Sequence, residues 1–300
     1  MKLVRFSANG HAPRLGAVQD DTILDLQGSV AATLRRRGVV RADEIAAALV
    51  PQSTRQFLEG GAASQEAVDG ITERVTVPLA GARLHAPITD PGKFICIGLN
   101  YRAHAEEAGA AVPKEPPVFS KYSNAILDPG EPILRPRGSG QLDWEVELGV
   151  VIGRPCRWVT RDKALEYVAG YTIINDASAR DFQFHTTQWG PGKMADTFAP
   201  LGPWIVDGKE IPNPHVLELK TWVNGRLMQN SNTKDFIFDV GYVLQYLSNI
   251  MTLSPGDVIA TGTPSGVGLG MKPPVFLQPG DVVRMEITGL GRLENPVKEA

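Results

Sequence analysis

From residue 93 onward the chain is a succession of strand-length apolar runs, each stopped by a glycine, a proline or an Asp/Asn turn residue. KFICIG (93–98), EVELGVVIG (145–153), YTIIND (171–176) and the stretches 219–224, 257–261 and 281–288 are too short for buried helices and too apolar for loops. Repeated runs of this kind speak against alternating βαβ units. They predict an α+β chain whose larger part is a mixed β-roll or barrel. The 31 glycines and 23 prolines supply the turns that such a fold needs. Pro-Gly-Asp-Val opens a strand twice, at 255–258 and 279–282. An internal β repeat and a shared turn preference explain that equally well.

Residues 1–75 differ in character. Lys2–Phe6 and Leu15–Val18 alternate polar and apolar, Asp20-Asp21 marks a turn, and Thr22–Leu26 follows, which reads as a small antiparallel meander. The composition then becomes rich in Ala, Arg and Glu. Ser29 is a candidate cap for a helix ending near Gly38, and Asp43 begins another that ends before Pro51. No residue pair here suggests chemistry, so 1–75 is expected to be a small α/β accessory or oligomerisation domain. Pro78, Gly81, Pro87 and Pro91 mark the connection into a larger domain, 76–300. Within it, Arg161–Ala169 is expected to be a short helix capped by Thr160.

Several function classes drop out. The formal net charge of −3 gives no reason to expect a nucleic-acid or anionic-membrane surface. No apolar run approaches the ~20 residues of a membrane span. The charged start, Met1–Phe6, argues against a signal peptide. A soluble, cytoplasmic protein is the expectation. Two cysteines, Cys96 and Cys156, are too few for a disulfide scaffold or a cysteine zinc site, and Cys96 reads as packing in its strand. G-x-S-x-G, H-E-x-x-H and Walker-type loops are absent.

The sharpest chemical feature is Glu145-Val146-Glu147 at the head of an apolar strand. Residues i and i+2 of a strand share a face, so both carboxylates stand side by side. A solvated strand end accounts for such a pair. If buried, the two charges repel and call for a hard divalent cation. Asp176, ending the apolar run 171–175, adds a third carboxylate in a similar setting. Asp143, Glu166 and Asp181 lack such a setting and read as surface groups or supports behind the site. His104 and Glu107 lie at i and i+3 of a short helical stretch followed by Pro113, Pro116 and Pro117. A surface pair fits that spacing; so does a His–Glu dyad acting as general base on a lid. Arg180, Gln183 and Lys193 follow Asp176. Arg180 has the chemistry to clamp a carboxylate, and Lys193 to stabilise an enolate. Lys121 reads as a surface residue by the same standard. His11, His85, His185 and His215 have no partner pattern and read as structural.

Together these segments resemble the fumarylacetoacetate hydrolase family over residues 93–298. The stretches that carry the likeness are IGLNYRAHAEE (97–107), FSKYSNAI (119–126), DWEVELGVVIG (143–153), YTIINDASARDFQ (171–183), GKMADTFAPLGPW (192–204) and GDVIATGTPSGVG (256–268). The resemblance implies the C-terminal-domain fold of that family, a β-roll around Mg²⁺, or Mn²⁺ in its place. It also implies a homodimer or higher homo-oligomer. By position it implies that Glu145, Glu147 and Asp176 hold the metal. His104 and Glu107 would activate water, Lys193 would stand near the metal, and Arg180 and Gln183 would face substrate. Thr263 would hold a substrate oxygen.

The expected activity is metal-dependent hydrolysis of a C–C bond in a 2,4-dioxo acid, an acylpyruvate or fumarylpyruvate. The same residues would serve a decarboxylase, isomerase or hydratase acting on a related 2-oxo acid of aromatic or sugar-acid breakdown. A metal-stabilised binding protein without turnover is the alternative from a different class.

Overall fold

The structure, a computed structural model, describes residues 1–8 and 10–300. A twelve-stranded mixed sheet runs through the molecule. Its middle is the strand Val146–Ile152, all seven residues of which are buried. A strand buried on both faces has no reason to alternate, which explains the unbroken VELGVVI run. It pairs antiparallel with Val168–Asn175 on one side and with Val258–Ala260 on the other. Val258–Ala260 then pairs parallel with Phe94–Ile97, which pairs antiparallel with Val118–Lys121. On the far side, Val168–Asn175 meets Ala199–Asp207.

The N-terminal meander extends this same sheet. Lys2–Ser7 pairs with Ala199–Asp207 through Lys2↔Val206 and Leu3↔Ile205, and with Arg14–Gln19 on its other edge. Leu3, Leu15, Leu24, Val30 and Phe57 belong to the same hydrophobic core as Val150 and Ile173. The first helix is Leu26–Arg36, capped by Asp25, whose carboxylate accepts from the Gly28 N–H. Ser29, expected as the cap, is buried inside the helix, where its hydroxyl accepts from Val75 N–H at 2.9 Å. Asp25 wins because it is the last strand residue, with extended backbone and a free acceptor.

A second, five-stranded sheet is built from Ile133–Arg135, Glu218–Val223, Arg226–Asn232, Val282–Ile287 and Gly291–Glu299. The fold is the expected α+β arrangement of mixed sheets. Two local expectations change. Over 161–169 only Ala164–Tyr167 is helical, as a 3-10 turn, and Val168 already belongs to a strand. The β-branched and aromatic residues Val168, Tyr171, Thr172, Ile173 and Ile174 favour the sheet. A helix over Val240–Ile250 was not expected. Its sequence, VGYVLQYLSNI, lacks charge and is rich in β-branched and aromatic residues. It is fixed from outside, by Asp239 accepting from Tyr242 N–H at 2.8 Å and by burial of Val243, Leu244 and Leu247. Among the described residues no helix is long and apolar enough to cross a membrane.

Candidate active site

Glu145, Glu147 and Asp176 converge because of strand register. Val146 lies opposite Asn175, and the Asp176 N–H donates to the Glu145 carbonyl at 2.9 Å. The Asn175 side chain accepts from the Glu145 N–H at 3.0 Å and clamps the same junction. One oxygen from each of the three carboxylates lies within 4.8 Å of the others, and all three residues are buried.

Cations surround the cluster without satisfying it. Lys193 Nζ is 2.6 Å from Glu145 Oε2 and 2.8 Å from Asp176 Oδ2. Arg180 donates from Nε to Asp143 at 2.8 Å and from a terminal nitrogen to Gln183 Oε1 at 2.9 Å, and its other terminal nitrogen is 2.6 Å from Glu145 Oε1. Burial and its carboxylate neighbours Asp176 and Glu145 push the Glu147 carboxyl well above its usual range. Burial alone would raise Glu145 too, but Lys193 and Arg180 hold it below that range.

Asp176 Oδ1 supplies the test of whether a cation belongs here. Lys121 Nζ is 2.7 Å away, yet Oδ1 accepts no hydrogen bond. The ammonium instead donates to the carbonyls of Ala177, Lys193 and Phe198, at 3.1, 2.6 and 2.7 Å. A carboxylate oxygen paired in charge but given no proton, a carboxyl pushed towards its neutral form, and an all-oxygen donor set fit a hard divalent cation.

The cluster forms the inner end of a cavity of about 170 Å³ that His104, Glu107, Gln183 and Thr263 also line. His104 and Glu107 lie on the short helix Arg102–Glu107, with Nδ1 3.3 Å from Glu107 Oε2. The other Glu107 oxygen accepts from Gly266 N–H at 2.9 Å. That bond, and the packing of Glu107 on Gly270, hold the dyad against the loop 262–270. Gly262 N–H donates to Glu147 Oε2 at 2.7 Å. The Thr263 hydroxyl gives its proton to the Val146 carbonyl at 3.0 Å and accepts from Gln229 at 2.8 Å. It meets a substrate oxygen only by exchanging the first of these bonds.

All nine residues singled out for the site therefore meet in one cavity. The sequence reading missed Lys121 as a support and left the roles of Asp143, Asp181 and Glu166 open. Lys121 is buried and joins three chain segments rather than lying at the surface. Asp143 is fully buried and accepts from Gly268 and Leu269 N–H at 2.7 and 2.9 Å while pairing with Arg180. Asp181 ties the adjoining loop, accepting from the Ser139 hydroxyl and the Gly140 N–H at 2.8 Å each. Glu166 is a surface group paired with Arg154. His85 is not partnerless: its Nδ1 lies 2.7 Å from Asp128.

Fold and cavity are those of an enzyme, and the cavity brings a buried carboxylate cluster face to face with a His–Glu pair. The family model described as fumarylacetoacetate (FAA) hydrolase C-terminal matches residues 93–298, and the Rv2993c-like N-terminal model matches residues 1–87. The chain belongs to the fumarylacetoacetate hydrolase family. It is 44% identical over 316 residues to the fumarylacetoacetate hydrolase domain-containing protein 2 homolog of Dictyostelium discoideum, covering 99% of this chain and 97% of that protein. Maleylpyruvate hydrolase of Sphingobium sp. SYK-6, solved with manganese(II) and pyruvate, superposes with a TM-score of 0.74 at 31% identity, covering 100% of both chains. The 2-hydroxyhepta-2,4-diene-1,7-dioate isomerase of Mycobacterium marinum gives 0.73 at 34% identity, covering 100% of this chain and 98% of that one.

Proposed function

We propose that the chain hydrolyses the C–C bond of a 2,4-dioxo acid, with Mg²⁺ or Mn²⁺ held by Glu145, Glu147 and Asp176. The observation that carries this reading is the convergence of the His104–Glu107 dyad and Lys193 on the carboxylate cluster within one cavity. A divalent cation at the cluster supplies Lewis acidity and a template for the oxo-acid head.

The chain's own groups do the rest. Glu107, fixed by Gly266, fixes His104 through Nδ1 and leaves Nε2 to take a proton from water. The resulting hydroxide attacks the distal carbonyl carbon of the substrate. The bond between that carbon and the adjacent methylene breaks, one product leaves as a carboxylic acid, and the electron pair passes to the pyruvate enolate. The imidazolium returns the proton to the enolate carbon. Lys193 stays an ammonium: burial opposes its charge, but Asp176 and Glu145 overcome that and raise its affinity for the proton. It stabilises the developing enolate charge. Gln183, oriented by Arg180, binds substrate or water, and Arg180 and Thr263 complete the head site. The functional unit we propose is a homodimer or larger homo-oligomer.

A panel of acylpyruvates, fumarylpyruvate, oxaloacetate and 2-hydroxydienoates tests this with Mg²⁺ or Mn²⁺ present. Loss of the ultraviolet enol band with equal release of pyruvate and a second acid is the expected result. Band shift without acid release means isomerisation or hydration, and CO₂ release means decarboxylation. Either as the dominant reaction would displace hydrolysis.

A further inference from the structure

We propose that the outer half of the cavity is an apolar tail site, and that the preferred substrate carries one carboxylate and an aryl or alkyl tail rather than a second carboxylate. This rests on the reading above in placing the oxo-acid head at Glu145, Glu147 and Asp176.

The walls beyond the cluster are Leu99, Phe119, Phe184, Trp189, Val267 and Leu269. Trp189 meets Phe119 edge-on, with ring centroids 5.6 Å apart and planes at 76°. Its ring lies so close to Gly98 that a Cβ there would strike it, so Gly98 is what admits the indole to the wall. Leu99 has φ +50°, a left-handed backbone that costs a branched side chain energy. Such strain tends to be held where a side chain must be aimed, and Leu99 is aimed into this wall. Phe184 is 58% exposed at the rim, an aromatic with one face uncovered.

Charge tells the same story. Among the described residues that line the cavity, the cationic side chains are Arg180 and Lys193, with His104 chargeable. Arg180 and Lys193 are tied to Asp143, Glu145 and Asp176 at the inner end, and His104 to Glu107. A second substrate carboxylate would lie among apolar walls with no cation, and Glu107 would repel it. Burying an unpaired charge is strongly unfavourable, whereas an apolar tail gains from the same contacts.

Calorimetric titration of manganese-loaded enzyme with 4-phenyl-2-oxobutanoate and with its para-carboxylated counterpart tests the tail, and oxalate, which has no tail, tests the head. The expected result is binding of the phenyl acid at least about tenfold tighter, with oxalate also bound. Equal or tighter binding of the carboxylated acid, with oxalate bound, overturns the tail site and leaves the hydrolase reading intact. Failure of all three to bind overturns the head placement and this inference with it. Preference for the phenyl acid without turnover of any acylpyruvate supports the tail site and sinks only the proposed reaction. Trp189→Ala is expected to narrow the preference to about threefold while oxalate still binds. Phe184→Arg is expected to raise affinity for the carboxylated acid. An unchanged preference in both variants overturns the assignment of these walls.

Discussion

Lys121 Nζ lies 2.7 Å from Asp176 Oδ1 but directs its protons elsewhere, to the carbonyls of Ala177, Lys193 and Phe198. The ammonium is thus a three-way brace that fixes the chain beside Asp176 and the backbone of Lys193. Lys121→Met removes the brace and leaves Asp176 short of a counter-charge. Breaking a buried pair in this way costs about 3–5 kcal/mol, which denaturant unfolding of metal-free protein will read as a lower midpoint at unchanged slope. Lys121→Arg should not restore it, because a planar fork cannot reach three carbonyls set around a point donor.

Chelation offers a second test. A cation bound by the folded cluster and not by the unfolded chain stabilises by about 2.7 kcal/mol at one hundred times its Kd. Scanning calorimetry should show a lower Tm in excess chelator and recovery on adding Mn²⁺. Glu147→Gln should abolish the metal-dependent rise. It should leave metal-free protein as stable or more so, since it relieves burial of a carboxyl crowded by Asp176 and Glu145.

Gly270 gives a test of the dyad that leaves the ligand cluster untouched. A Cβ at Gly270 would run into the Glu107 side chain. Gly270→Ala should therefore displace Glu107 and lower kcat by at least about tenfold, with Mn²⁺ affinity unchanged. His104→Ala sets the scale: the loss of a positioned acid–base group is worth about 10²–10⁴-fold in kcat. Steady-state kinetics beside a metal titration separates the two quantities.

The legible part of the site was the part that violates a local pattern. Carboxylates at 145, 147 and 176 interrupt apolar strands, and an anomaly of that kind is visible without any tertiary contact. Six motifs in order then carried the family. Lys121 was not legible as a support, because its partners are main-chain carbonyls at least 56 residues away. No spacing rule reports such contacts. The Val240–Ile250 helix was missed for a related reason: packing, not propensity, holds it. The strand at 168–175 takes the end of the helix expected over 161–169, because pairing with Val146–Ile152 outweighs a weak local preference.

Asp239 caps that helix, and its acid titration is predictable. Burial alone would raise its carboxyl; the Arg161 and Tyr242 N–H hydrogen bonds and the Arg161 charge overcome this and lower it. A carboxyl lowered on folding stabilises above its unfolded value of 3.8, and the contribution is lost as pH falls through the lower folded value. Asp239→Asn should flatten the acid limb of stability against pH. The effect should be under about 1 kcal/mol, because the pair is partly exposed and solvent screens it.

The pairing of Lys2–Ser7 with Ala199–Asp207 has a consequence for how the molecule may be cut. A polypeptide starting at residue 88 would leave the main-chain groups of Ile205–Asp207 without their partners in the first strand, next to the strand that leads into Asp176. Bare edges of that kind invite another chain to add on, so such a fragment would be expected to self-associate or aggregate. The leading strand thus works as a built-in guard, shielding the rim of the main sheet from unwanted neighbours.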